Sequence, residues 1–296
     1  MSLQTGATAE LRTIAAHRSV REHLVDIWRY RELVVSLVGK ELKVRYKNSV
    51  LGFLWSMVQP VFLLLVYSMV FSILGAGFED FAIWLLCGLI AWTMTSTAMS
   101  TSAQSITSNG YLVSKVAFPR VVLPISTLGS ALVHFLLQLA TLAVILLVVR
   151  HPVAWGHVWL VPIALVTTVI VCAGLGIMLS ALNVYARDTQ HLLDMLLIAW
   201  FWLTPVLYQY ERASQWFTSH GFPAWLPLVN PMTSVVIALQ RSIYGSTSAG
   251  STALLPDLSA WWYARNLLIV AAVASLLTIV ALRVFDRAEG NFAEVL

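Results

Sequence analysis

The chain has 296 residues, of which 59% are hydrophobic and 11% charged, with a net charge of +4. Soluble chains carry roughly 45–50% apolar and about 25% charged residues. A large soluble domain, a disulfide scaffold and a nucleic-acid binder are therefore excluded, and an all-α integral membrane protein is expected, because only a bilayer suits so apolar a chain.

Residues 1–20 lack an apolar core, so no cleavable signal peptide is expected and residues 1–26 form a tail. Residues 27–47 predict an amphipathic interface helix. Ile27, Tyr30, Val34, Leu37, Val38 and Leu42 share one face; Arg29, Glu32, Ser36, Lys40, Lys43 and Lys47 share the other. Six spans of about 20 apolar residues each are expected: Val50–Leu74, Phe81–Ser102, Val121–Val149, Trp159–Leu182, Leu192–Tyr208 and Asn266–Phe285. They form the six-span region, 50–285, of a single permease domain over residues 1–296, which ends in a cytoplasmic tail over 286–296. The loops alternate in charge. Fourteen Lys and Arg fall on the side of the termini and four (Arg150, Arg212, Arg241, Arg265) on the other, so both termini are expected in the cytoplasm of a bacterial inner-membrane protein.

Within span two, nine of the thirteen residues from Thr93 to Ser105 are polar, Thr97 and Thr101 among them. Such hydroxyls can bond across helices, or line a wet cavity and meet sugar hydroxyls. Between spans two and three, residues 108–120 predict a short projecting helix ended by Pro119, with Tyr111, Leu112, Val116 and Phe118 unusually apolar for a solvated loop. In span five, Trp200, Phe201 and Trp202 lie near mid-depth, below the usual interfacial aromatic belt. Aromatic faces there suit sugar rings, with ordinary helix packing as the alternative. Asp194 is the one charged candidate inside a span. Of the external segment 209–261, Trp216–Leu228 is apolar and broken by Pro223 and Pro227. Asn230 and Pro231 then read as an N-cap and first helical residue, opening a helix to Tyr244 stopped by Gly245. At about 21 Å it is too short to span, and the two short apolar pieces together suggest external re-entrant or interfacial helices that could close the outer end of a pathway.

Cys87 and Cys172 sit in apolar runs, and no zinc-ligand spacing or nucleophile constellation occurs. The phosphate-cradling GxxxxGK[ST] loop is also missing, so no ATP site and no cofactor is expected in this chain.

Five stretches in order resemble the type-2 ABC exporter permeases, in the branch that exports O-antigen, teichoic acid, galactan and related polysaccharides. They are ELKVRYKNSVLGFLWSMVQP at 41–60, KVAFPRVVLP at 115–124, LSALNVYARD at 179–188, LTPVLY at 203–208, and NPM at 230–232 with the tail from Phe285, including Glu289 and Phe292. The resemblance implies a half-transporter that pairs with a second copy and with two separate ATPase subunits, which hold ATP and Mg. It implies a polyprenyl-pyrophosphate-linked glycan as substrate. Arg45, with Lys43 and Lys47 beside it, is the expected contact for the pyrophosphate; Thr97, Thr101, Trp200, Phe201 and Trp202 are those for sugars. Glu41, Lys40, Tyr111, Leu112, Lys115, Val116, Phe118 and Arg187 are the expected ATPase contacts, and Pro231, Ser234 and Tyr244 belong to a gate. Two other readings stay open: a type-2 exporter of drugs or lipids, and a membrane-embedded transferase using Asp188 and Asp194 on a polyprenyl lipid.

Overall fold

The computed structural model describes residues 19–47, 54–73, 78, 80–249 and 252–292, without the side chains at 45, 46, 56, 57, 59 and 60. Its helices are α1 Val20–Arg29, α2 Arg31–Tyr46, α3 Trp55–Ile73, α4 Phe81–Gln104, α5 Gly110–Lys115, α6 Val122–Val149, α7 Leu160–Tyr185, α8 Asp188–Leu203, α9 Tyr210–Ser219, α10 Pro231–Ile243 and α11 Ala260–Glu289. A two-residue hairpin, β1 Ser248–Ala249 and β2 Thr252–Ala253, precedes α11.

Four segments are long and apolar enough to cross a membrane: α4, α6, Trp155–Tyr185 and α11. The other two expected spans correspond to α3 and α8. The described apolar stretch of α3 is Val61–Ile73. Helix α8 has 16 residues, about 24 Å, against a hydrocarbon core of about 30 Å. It ends at Leu203, five residues before the expected boundary, because Pro205 disfavours the helical region for the residue before it and Thr204 is extended (φ −98°, ψ 134°). Span six is longer than expected, since α11 begins six residues earlier, at Ala260. The N-terminal amphipathic helix is two helices. A capping box of Ser19 and Glu22 starts α1 at Val20, and the chain breaks at Tyr30 (φ −95°, ψ 19°) before α2. The expected faces hold across that break: Leu37 is buried, while Lys40, Lys43 and Lys47 are exposed.

Two large cores divide the bundle, with a small cluster of Ala98, Leu128, Ala131 and Cys172 besides. The larger joins the first half of α4, α10 and the start of α11, around Trp84, Val236 and Tyr263. The smaller lies at the end where α1, α2 and α5 gather, called basal here. It packs Leu37, Val113, Val122, Ile177, Ala181 and Phe285, and Phe292 closes it. Polar ties pin this basal layer. Lys40 Nζ donates to Asn109 Oδ1 at 2.8 Å, His23 Nε2 meets Asp286 Oδ2 at 3.0 Å, and Arg120 N donates to Glu289 Oε1 at 3.1 Å. Helices α7 and α11 touch closely at Gly174, where a Cβ would lie 2.7 Å from Thr278 Oγ1, so a small residue is required.

At the distal end, α10 re-enters the bundle alongside α4. Its first turn reaches mid-depth, where Thr95 Oγ1 donates to Met232 Sδ at 3.4 Å. Its last turn reaches the start of α4, where His151 bonds both Asp80 Oδ2 (2.7 Å) and Tyr244 O (3.1 Å). The cap reading is borne out: Asn230 Oδ1 accepts from Met232 N at 3.0 Å, and Gly245 takes φ +84°, a left-handed stop. Met232 through Gln240 are all buried, so the helix packs within the bundle. Helix α9 begins six residues before the apolar piece Trp216–Leu228 and ends inside it, at Ser219, while the hairpin lies where no element was predicted.

Candidate functional site

A groove of about 420 Å³ opens on one side of the bundle, between α3, α4 and α8. Helix periodicity sets a polar row that enters this groove at Thr93 and Ser96 and continues beyond its lining through Thr97, Ser100 and Thr101. Along α4, Thr93, Ser96, Thr97, Ser100 and Thr101 are half-buried and Gln104 is exposed, a spacing of three and four that marks one face. The intervening Thr95, Ser102 and Ser105 point inward and are buried. Ser102 Oγ lies 3.0 Å from Thr127 Oγ1 on α6, so these hydroxyls tie helices together. The dense polar run is thus two populations, one packing the bundle and one forming a hydroxyl row on its open side, with Thr93 shared between them, since its Oγ1 donates to Gln138 Oε1 on α6 at 2.9 Å.

Aromatic rings frame that row. Trp92 and Phe201 lie 5.6 Å apart, Tyr67 and Phe201 6.5 Å, and Phe201 and Trp202 5.8 Å. Thr93 and Ser96 line the groove with Tyr67, Trp92, Phe201 and Trp202. Toward the basal end, Ser100 Oγ approaches Asp194 Oδ1 at 3.4 Å, and Gln190 Nε2 donates to the same oxygen at 3.0 Å. Rings beside hydroxyls offer apolar faces and hydrogen bonds together, the chemistry that a sugar presents in return. Tyr67 and Trp92 escaped the sequence reading, because single aromatics inside apolar runs carry no pattern.

Trp200 is not in the groove lining. Its indole N–H donates to Asn230 Oδ1 at 2.8 Å, and its ring packs edge-on against Trp92 at 5.9 Å. Asn230 Nδ2 donates to Thr204 Oγ1 at 2.9 Å, and Thr204 Oγ1 donates to Trp200 O at 2.8 Å. The groove's aromatic wall is therefore bonded to the first turn of α10. Pro231 opens that helix, Ser234 is 2% exposed within it, and Tyr244 stacks on His151 at 5.5 Å. Ser234 is almost fully buried in this state. Burial raises the carboxyl pKa of Glu211 on neighbouring α9.

The basal surface collects another set. Tyr111, Lys115 and Val116 are exposed on and after α5, with Lys115 Nζ 4.6 Å from the Tyr111 ring centroid. Leu112 and Phe118 turn inward and pack on the basal core instead. Arg187 is exposed at the start of α8, Glu41 is half-buried on α2, and Lys40 is held by Asn109. Lys43 and Lys47 are exposed; the side chain of Arg45 lies outside the described residues.

Residues 32–244, from α2 to the end of α10, match the ABC-2 type transporter family. The chain belongs to that family. An O-antigen export system permease protein of Myxococcus xanthus is 33% identical to this transporter over 270 residues, 91% of this chain and 97% of that one. Two permeases of the same name from Klebsiella pneumoniae are 27% and 28% identical, over 90% of this chain and 95% of each of theirs. The ABC-2 match takes in the groove, the Asn230 junction and the basal α5 surface, and leaves α11 outside it.

Proposed function

We propose that this permease is the transmembrane subunit of an ATP-driven exporter that carries polyprenyl-pyrophosphate-linked polysaccharide across the bacterial inner membrane, from the cytoplasmic side. The observation that carries this reading is the hydroxyl row of α4 beside Trp92, Phe201 and Trp202. The O-antigen permeases among its relatives support the same substrate class. In this reading α3 and α8 complete six spans, and both termini are cytoplasmic. A second copy faces the groove, so that two grooves enclose one pathway. The exposed apolar side chains of α3 and α8, such as Phe62, Met69, Met195 and Ile198, suit that contact or lipid.

The basal surface receives two ATPase subunits that hold ATP and Mg, through Glu41, Tyr111, Lys115, Val116 and Arg187. Lys43, Arg45 and Lys47 meet the pyrophosphate at headgroup depth, Arg45 by the bidentate grip of its guanidinium. Thr97 and Thr101 bond sugar hydroxyls along the row, and the α10 junction opens the outer end.

The test is ATP hydrolysis in vesicles containing the permease and its ATPase subunit. Glycan-lipid should stimulate it, and the permease alone should hydrolyse nothing. Phe201→Ala, and Thr97→Val with Thr101→Val, should lower that stimulation about tenfold, the weight of one aromatic contact or hydrogen bond. Basal hydrolysis should survive. Arg45→Lys should lose stimulation while keeping assembly. Full stimulation in all these variants, or stimulation by drugs or free phospholipid instead of glycan-lipid, would overturn the reading.

A further inference from the structure

A second cavity, of about 620 Å³, opens at the distal end between α9, the turn before α10 and the first turns of α11. It shares no lining residue with the groove. Glu211 of α9 and Arg265 of α11 both line it. Neither has an ion pair or a side-chain hydrogen bond among the described residues, so opposite charges stand in one cavity without neutralising each other. Ser234 and Asn266 also line it and are 2% and 8% exposed. Ser234 Oγ and Asn266 Nδ2 have no hydrogen-bond partner among the described residues. Buried polar groups left in this state are rare in folded proteins, and each calls for a ligand, a water or a function.

The cavity also has a polarity gradient. Trp262, Arg265 with Asn266, and Ile269 with Val270 fall on one face of α11, one turn apart. At 1.5 Å per residue the apolar pair lies about 6 Å deeper than Arg265. Charge near the end, tryptophan beside it and an apolar floor below is the order of a bilayer interface.

We propose that this cavity binds a zwitterionic phospholipid whose headgroup carries a primary ammonium. The Arg265 guanidinium takes the phosphate, the Glu211 carboxylate accepts from the ammonium, and the acyl chains run over Ile269 and Val270. Asn266 Nδ2 donates to a phosphate oxygen, and the Ser234 hydroxyl donates to an ester carbonyl beneath it. A neutral sugar would leave both charges uncompensated and the apolar floor unused. An anionic headgroup would set its charge against Glu211. Burial already raises the Glu211 pKa, and a bound ammonium restores the ionised carboxylate. The site is independent of the exported substrate.

The test is lipid retention by the purified, delipidated chain, read by native mass spectrometry with dioleoyl phosphatidylethanolamine, dioleoyl phosphatidylglycerol and dioleoylglycerol as probes. Phosphatidylethanolamine should bind about tenfold tighter than either of the others, the effect of one charge-assisted hydrogen bond. Glu211→Gln should erase the preference over phosphatidylglycerol. Arg265→Gln should weaken both phospholipids; Arg265 is exposed, so this change leaves the fold intact. Arg212→Gln, exposed on the same α9, should change nothing. Equal retention of all three probes, a preference for phosphatidylglycerol, displacement by an oligosaccharide, or unchanged binding in both site variants would each overturn the proposal.

Discussion

Trp200 donates its indole N–H to the side-chain oxygen of Asn230 at 2.8 Å, and that same oxygen caps α10 through Met232 N at 3.0 Å. One amide thus joins the end of α8 to the start of the re-entrant helix. Asn230→Ala should cost about 1 kcal/mol through the lost cap alone, with more from the orphaned Trp200 and Thr204. Asn230→Asp keeps the acceptor and loses the Nδ2 donor to Thr204 Oγ1 and Leu203 O, so it should lie between. Thermal unfolding in micelles checks the order, and equal melting of Asn230→Ala and the parent would remove the junction from the stability account.

The basal helix α5 separates partner contacts from core contacts. Val116 is 51% exposed, whereas Leu112 packs on the basal core. Val116→Asp should weaken co-purification with the ATPase subunit and leave the melting temperature unchanged. Leu112→Asp buries a charge without a partner and should lower the melting temperature itself. Intact assembly in Val116→Asp would take this surface out of the docking interface.

Lys40 and Asn109 link α2 to the turn before α5 at 2.8 Å. A double-mutant cycle of Lys40→Met and Asn109→Leu should give a coupling of about 1 kcal/mol, at the lower end for a charged hydrogen bond because Lys40 is exposed. Strictly additive effects would show that the bond adds nothing to the layer.

Side-specific labelling decides orientation. A cysteine replacing Ser219, exposed at the end of α9, should react with an impermeant maleimide from outside intact cells. One replacing Ser114, exposed on α5, should react only after permeabilisation. One replacing Ser234 should stay unlabelled at rest, since that position is 2% exposed, and become reactive only if ATP turnover moves α10. The reverse pattern at Ser219 and Ser114 would invert the topology.

Glu211 has a carboxyl pKa raised by burial. The folded chain therefore holds this proton more tightly than the unfolded chain. That contribution to stability is complete below the ordinary carboxylate pKa and is lost as pH rises through the raised one. In lipid-free micelles, the melting temperature of Glu211→Gln should fall less than the parent's between about pH 4 and pH 7. Parallel curves would leave Glu211 without a stability role.

Composition and periodicity were enough to place this chain in a membrane as helices, because a bilayer demands long apolar segments with internally satisfied backbones whatever their packing. They also set the cap at Asn230, the stop at Gly245 and the two faces of residues 27–47, since each follows from a few neighbouring residues and helical pitch. Packing decided the rest. Nothing local distinguishes Thr97, half-buried on the open row, from Thr95, buried against Met232; only the neighbours of α4 divide them. Trp200 and Phe201 are adjacent in sequence, yet a helix turns successive side chains by about 100°, so Phe201 lines the groove and Trp200 meets Asn230 thirty residues on. The apolar face of α10 shows from sequence only that it must be covered. That α4 and α7 bury nearly all of this short helix depends on contacts between segments far apart in sequence, such as Thr95 and Met232, 137 residues apart, which no local pattern encodes.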